Sequence, residues 1–136
     1  MGETRGFELG LNAELDPWRL DMSYTWFDFE LKEEAAESSL EANTPRNQIG
    51  FGVVWSKGNF DASLRARWVE GFNWSSGVFV GRVPSYEVVD VGFNVGLSKG
   101  WHAGASITNL LDNQHYELFG GDLLGRRALA YVAFDW

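Results

Sequence analysis

The last segment of the chain alternates two kinds of position right up to a terminal aromatic. Ala128, Ala130, Val132, Phe134 and Trp136 fall on one face, and Arg127, Leu129, Tyr131, Ala133 and Asp135 on the other. A period of two is the signature of a β-strand. Soluble domains rarely stop in mid-strand on a tryptophan. A membrane β-barrel does so readily, because its last strand pairs with its first and its strand ends sit in aromatic girdles.

The same design recurs upstream. A first strand runs from about Phe7 to Leu15, with Phe7, Leu9, Leu11, Ala13 and Leu15 on one face. A second, about Trp18 to Glu30, sets Trp18, Leu20, Met22, Tyr24 and Trp26 against Arg19, Asp21, Ser23 and Thr25. A third carries Ile49, Phe51, Val53 and Trp55; a fourth carries Phe60, Ala62, Leu64, Ala66 and Trp68. The fifth alternates from Val89 to Leu97, the sixth from Trp101 to Thr108. Asp16-Pro17, Lys57-Gly58-Asn59 and Lys99-Gly100 are short turns. Lys32 to Pro45, Glu70 to Pro84 and Asp112 to Gly125 read as long loops. The fold class expected is therefore all-β. Strict alternation of short turns and long loops describes part of an antiparallel up-and-down transmembrane β-barrel of about seven strands. The short turns are then periplasmic and the long loops extracellular.

Aromatic positions sharpen that expectation. Trp18, Trp55, Phe60, Trp101 and Trp136 lie on the apolar face beside a short turn or at the C-terminus. They form one girdle at a lipid–water boundary, and Trp26 and Trp68 begin a second near the long loops. A soluble β-sandwich would instead concentrate its large side chains mid-strand. Here the mid-strand positions hold mostly Leu, Ala, Met and Val.

Composition excludes several classes. The net charge is −8, which argues against a nucleic-acid partner, since that would need a basic patch. With no cysteine there is neither a disulfide framework nor a thiolate metal site. No apolar run approaches the ~18 residues of a membrane helix. Mean hydropathy is −0.21, as polar lumen positions dilute the apolar ones in a barrel.

No catalytic constellation is present, and no metal site or cofactor is expected. His102 and His115 read as solvated histidines near a turn and in a loop. Ser75 and Ser76 lack a nucleophile context. Arg65, Arg67 and Arg127 share the lumen face and are the candidates to contact an anionic substrate or a plug, or to pair with wall carboxylates. Glu33, Glu34, Glu37 and Glu41 read as a solvated loop cluster.

Four elements carry a family likeness: Asn43-Thr44-Pro45-Arg46 entering a strand; Val83-Pro84-Ser85-Tyr86 followed by Asp90; Ile107-Thr108-Asn109-Leu110-Leu111-Asp112 with Tyr116 after it; and Gly125-Arg126 before the final strand. In these elements the chain resembles the C-terminal barrel region of TonB-dependent outer-membrane receptors. Leu111 stands where the family usually has Phe, and Trp136 where Phe is commonest.

The resemblance implies a receptor in the bacterial outer membrane that takes up a scarce nutrient such as a ferric siderophore or vitamin B12. It also implies partners: membrane lipid, the barrel assembly machinery, a plug domain, and a TonB energising complex acting through that plug. Val132, Phe134 and Trp136 resemble the C-terminal signal that the assembly machinery reads. Residues 1–136 are expected to be the C-terminal part of such a barrel without its plug, since Met1-Gly2-Glu3-Thr4-Arg5 leads into a strand with no export signal. Seven strands leave two unpaired edges, costly in lipid, so the first strand is expected to pair with sequence outside this chain. The alternatives are a small free-standing outer-membrane barrel with an adhesive or structural role, and a soluble β-sandwich binding module.

Overall fold

A computed structural model describes residues 2–31 and 43–135. Trp136 and the cluster Glu33, Glu34, Glu37 and Glu41 lie outside the described residues. The described strands are β1 (Gly2–Leu15), β2 (Trp18–Leu31), β3 (Asn47–Lys57), β4 (Phe60–Val69), β5 (Phe72–Ser76), β6 (Phe79–Val83), β7 (Tyr86–Gly96), β8 (Trp101–Thr108) and β9 (Arg127–Phe134). Seven of them form one sheet in the order β1-β2-β3-β4-β7-β8-β9, and β5 pairs with β6 as a separate hairpin. Every neighbouring pair is antiparallel. The sheet does not close on itself.

Register follows the two-residue period. Ala13, Leu20, Val53, Leu64, Val91, Ile107 and Ala128 lie in one row across all seven strands. A slip of one residue anywhere would turn that strand's apolar set to the other face. Among the described residues nothing covers this face: Leu9, Leu11, Met22, Phe51, Phe93 and Val132 are all exposed. The buried core lies elsewhere. It consists of Val69, Val83, Tyr86 and Val88, with Phe72 and Trp74 packed against it. Val69 is opposite Tyr86, and Val88 is opposite Arg67, so this core sits on the polar face at the long-loop end. In a water-soluble sheet the arrangement would be the reverse.

Aromatic rings line the short-turn end of the apolar face. Trp18 and Trp55 have centroids 6.4 Å apart, Trp55 and Phe60 5.7 Å, Phe60 and Phe93 6.3 Å, and Trp101 and Phe134 5.0 Å. At the other end Phe7 stacks on Trp26 at 5.8 Å.

Strand β7 begins at Tyr86 rather than Val89 and β9 ends at Phe134, leaving Asp135 outside it; two further elements differ more from the sequence expectation. Strand β1 begins at Gly2 rather than near Phe7, because Gly2 to Gly6 pair with Leu31 to Phe27 beyond the apolar band. The segment from Glu70 to Pro84 is not a plain loop. Phe72, Trp74 and Ser76 pair across from Val83, Gly81 and Phe79, and Gly77 takes the left-handed φ of 59° that the turn needs.

On the polar face, Tyr131 reaches across Gly104 to donate its hydroxyl hydrogen to Asn94 Oδ1 at 2.7 Å. A Cβ at position 104 would lie 2.7 Å from Tyr131 Cε1 and 2.9 Å from the Phe93 carbonyl oxygen. Gly104→Ala is therefore expected to destabilise the folded sheet by about 1–3 kcal/mol, an overpacking cost. At Gly10 an added Cβ meets nothing within 4 Å. Gly10→Ala should stay within about 0.5 kcal/mol of the parent. Urea midpoints in detergent micelles compare the two, and equal midpoints would refute the packing account.

Candidate functional site

The polar wall is built in rows, like the apolar one. Asn12, Asp21, Gly52, Arg65 and Asp90 form one row across β1, β2, β3, β4 and β7. Gly10, Ser23, Gly50, Arg67 and Val88 form the next. The β3 glycines leave the floor low between taller walls. The result is an open trough of about 580 Å³, lined by Asn12, Asp21, Gly50, Arg65, Arg67 and Asp90. Asp21 leans over Gly52, where a Cβ would collide with its carboxylate.

Arg67 also reaches upward. Its guanidinium is 2.7 Å from Glu117 Oε1 and lies 5.7 Å from the centre of the Tyr86 ring. His115 stacks on the same ring at 4.3 Å with an interplanar angle of 16°. The expectation of a solvated His115 is thus corrected: the side chain is buried because the β8–β9 connection folds onto the wall. His115 Nδ1 donates to the Asn113 carbonyl at 2.7 Å, while Nε2 has no hydrogen-bond partner among the described residues and lies 3.8 Å from Glu117. His102 sits at the opposite end, 2.9 Å from Asp135.

Asn109, Leu110, Asp112 and Arg126 hold this connection in place. Asn109 is buried at 3 % exposure and adopts a φ of 55°. Its backbone N–H donates to Asp90 Oδ1 at 2.8 Å, and its amide group exchanges two hydrogen bonds with the Asn113 backbone. Asp112, with φ 53°, accepts the Arg126 backbone N–H on Oδ1 at 2.9 Å. The Arg126 guanidinium donates to the Leu110 carbonyl at 3.4 Å. The backbone N–H of Leu110 ties back to Val89 at 2.7 Å. Gly125 lies beside the Asp112 carboxylate, where an added Cβ would be 3.4 Å away. Pro84 and Tyr116 line a separate cavity of about 420 Å³ with Arg82 and Phe119.

Arg65 and Arg67 share the trough. Arg127 does not: it starts β9 opposite Thr108, three strands from β4, roughly 14 Å across the sheet. Val132 and Phe134 lie on the apolar face opposite Ala103 and Trp101. Glu117 and Asn113 carried no sequence signal, because their partners are set by how the connection folds back. Among the described residues no group of three or more His, Asp or Glu side chains is placed to hold a metal ion.

The family model for the TonB dependent receptor-like β-barrel matches residues 1–110. The chain belongs to that family. TonB-dependent receptor barrels are bacterial outer-membrane proteins. No curated protein matches the sequence significantly. The fold itself recurs in solved receptors. The ferripyoverdine receptor of the outer membrane of Pseudomonas aeruginosa superposes with a TM-score of 0.77 at 18% identity, over 99% of this chain and 20% of that one. The siderophore receptor PiuA from Acinetobacter baumannii gives 0.77 at 20% identity, over 98% and 22%. The copper transporter OprC gives 0.75 at 18%, over 98% and 23%. The chain thus spans about a fifth of the length of these structures.

Proposed function

We propose that this chain is the C-terminal wall segment of an outer-membrane receptor that takes up a scarce nutrient, such as a ferric siderophore or vitamin B12, and that it has no enzymatic activity. The observation that carries the reading is the inverted burial. A seven-strand apolar face lies uncovered, while the buried core and the buried polar residues gather on the lumen side. Single-layer sheets of this kind are stable only where a bilayer covers the apolar face. The proteins of similar fold include a ferripyoverdine receptor and a copper transporter, so the fold alone does not set the cargo.

In this reading the aromatic rows at Trp18, Trp55, Phe60 and Trp101 are the membrane girdle. Val132, Phe134 and Trp136 are the strand end that the assembly machinery reads. Arg65, Arg67 and Arg127 face the plug or the passing cargo, and the energising complex acts through that plug. The two open sheet edges, β1 and β9, pair with the remaining barrel strands.

Folding the purified chain with and without detergent or lipid vesicles tests the proposal. Strand content by circular dichroism is expected to appear only with the amphiphile, together with a blue shift of tryptophan emission. Cooperative folding to a monomer in plain buffer would sink it, because an exposed apolar belt of this size cannot stay monomeric in water.

A further inference from the structure

We infer that the β8–β9 connection is a strap latched onto the lumen wall by Glu117 on Arg67, and that a hydroxycarboxylate bound in the trough at Arg65 and Arg67 releases it. The inference rests on the receptor-wall reading, since it needs the polar face to be a lumen open to small molecules.

The ends of the strap are fixed. Asn109, Asp112 and Arg126 clasp its base, and His115 and Leu124 exchange backbone hydrogen bonds of 3.2 and 2.8 Å across its neck. The part beyond the neck meets the wall through the Glu117–Arg67 ion pair. It also meets the β5–β6 hairpin, where the Phe119 ring fills the space above Gly81. Both partners of the ion pair are close to half exposed, at 49% for Arg67 and 43% for Glu117. Such pairs are weak and exchange readily.

Arg67 has a second role, because it also lines the trough. Arg65 lies two residues away on the same face, roughly 7 Å along the strand. Among the described residues Arg65 has no hydrogen bond or ion pair. A carboxylate entering over Gly50 therefore meets one free guanidinium and one held by a single glutamate. Of the two aspartates in the trough, Asp90 already accepts the Asn109 N–H, and Asp21 offers an acceptor over Gly52. The ligand that fits carries carboxylates for the arginines and a hydroxyl hydrogen for Asp21. Two guanidinium groups gripping one carboxylate ligand outcompete one solvent-exposed glutamate. Coupling of this kind is reciprocal: ligand loosens the strap by the same factor that the strap weakens ligand binding.

The chain has no cysteine, so two introduced ones are unique labelling sites. Spin labels at Glu8→Cys on β1 and Asp122→Cys on the strap report their separation by pulsed electron resonance, in the full chain refolded in micelles. Tartrate, with two carboxylates and two hydroxyls, is the probe. The expected result is one narrow distance without tartrate and a broader, longer distribution with it. Glu117→Gln is expected to broaden the distribution without tartrate. Arg65→Gln is expected to stay narrow at tartrate concentrations that open the parent. A folded sheet whose strap ignores both tartrate and Glu117→Gln overturns the latch and leaves the receptor reading intact. An Arg65→Gln variant that opens like the parent overturns the trough as the ligand's seat. Absence of β-structure in micelles overturns the receptor reading and the latch together.

Discussion

Leu64→Arg is expected to destabilise the chain in phospholipid vesicles by about 2–4 kcal/mol, the cost of a guanidinium near the midplane of a lipid-facing barrel wall. Leu64 sits in the central row of the apolar face, between Val53 and Val91. Its neighbours on that side of the sheet are apolar: Val53 and Val91 in its own row, Val89 and Phe93 in the rows beside it. Asn12→Arg is the matched control. Asn12 is exposed on the polar face directly opposite Asp21, so the new charge stays in water beside an opposite one. Its effect should fall within about 0.5 kcal/mol. Urea titration of tryptophan emission in vesicles measures both. If the two arginines cost the same, the two faces do not differ in what they meet, and the assignment of lipid and lumen sides fails.

Asn109→Ala should cost roughly 2–5 kcal/mol. It removes two hydrogen bonds to Asn113, each worth about 0.5–1.5 kcal/mol, and forces a residue with a Cβ and no polar tip into the left-handed region, worth about 1–2 kcal/mol more. Asn109→Gly separates the two terms. It loses the same hydrogen bonds but tolerates a φ of 55°, and it should recover about 1 kcal/mol relative to alanine. The loss should appear first as increased proteolysis between Asp112 and Arg126, before the sheet melts, because the clasp holds the strap rather than the strands. Identical stability of the alanine and glycine variants would remove the backbone part of the account.

The strands were legible because each obeys one rule, alternation, that a bilayer enforces over its whole length. From Leu64 or Val132 alone the face can be assigned. The rule stops working where the chain leaves the membrane. Thr4, Arg5 and Gly6 do not alternate in polarity, yet they continue β1 because the partner strand is there to pair with. The β5–β6 hairpin was hidden among glycines that read as loop. Its signal, Phe72 and Trp74 followed after Gly77 by Phe79 and Val83, is present but too short to stand alone. The Asn109–Asp112 element could be recognised by likeness but not explained. What it does depends on two left-handed residues aiming a carboxamide and a carboxylate at chain segments that arrive later. The Arg67–Glu117 contact spans fifty positions and leaves no local trace at all.

On the proposed girdle reading, the two aromatic rims act as a depth gauge. On β2 they are marked by Trp18 and Trp26, eight residues apart. At about 3.4 Å per residue and a barrel-strand tilt of about 40°, that separation is close to 20 Å of vertical height, near the ~25 Å apolar band of bacterial barrels. The span is short compared with the ~30 Å hydrocarbon core of an ordinary bilayer, and it suits the thinner bacterial outer membrane. If the tryptophans mark the two membrane boundaries as proposed, their spacing matches the thinner of the cell's two membranes.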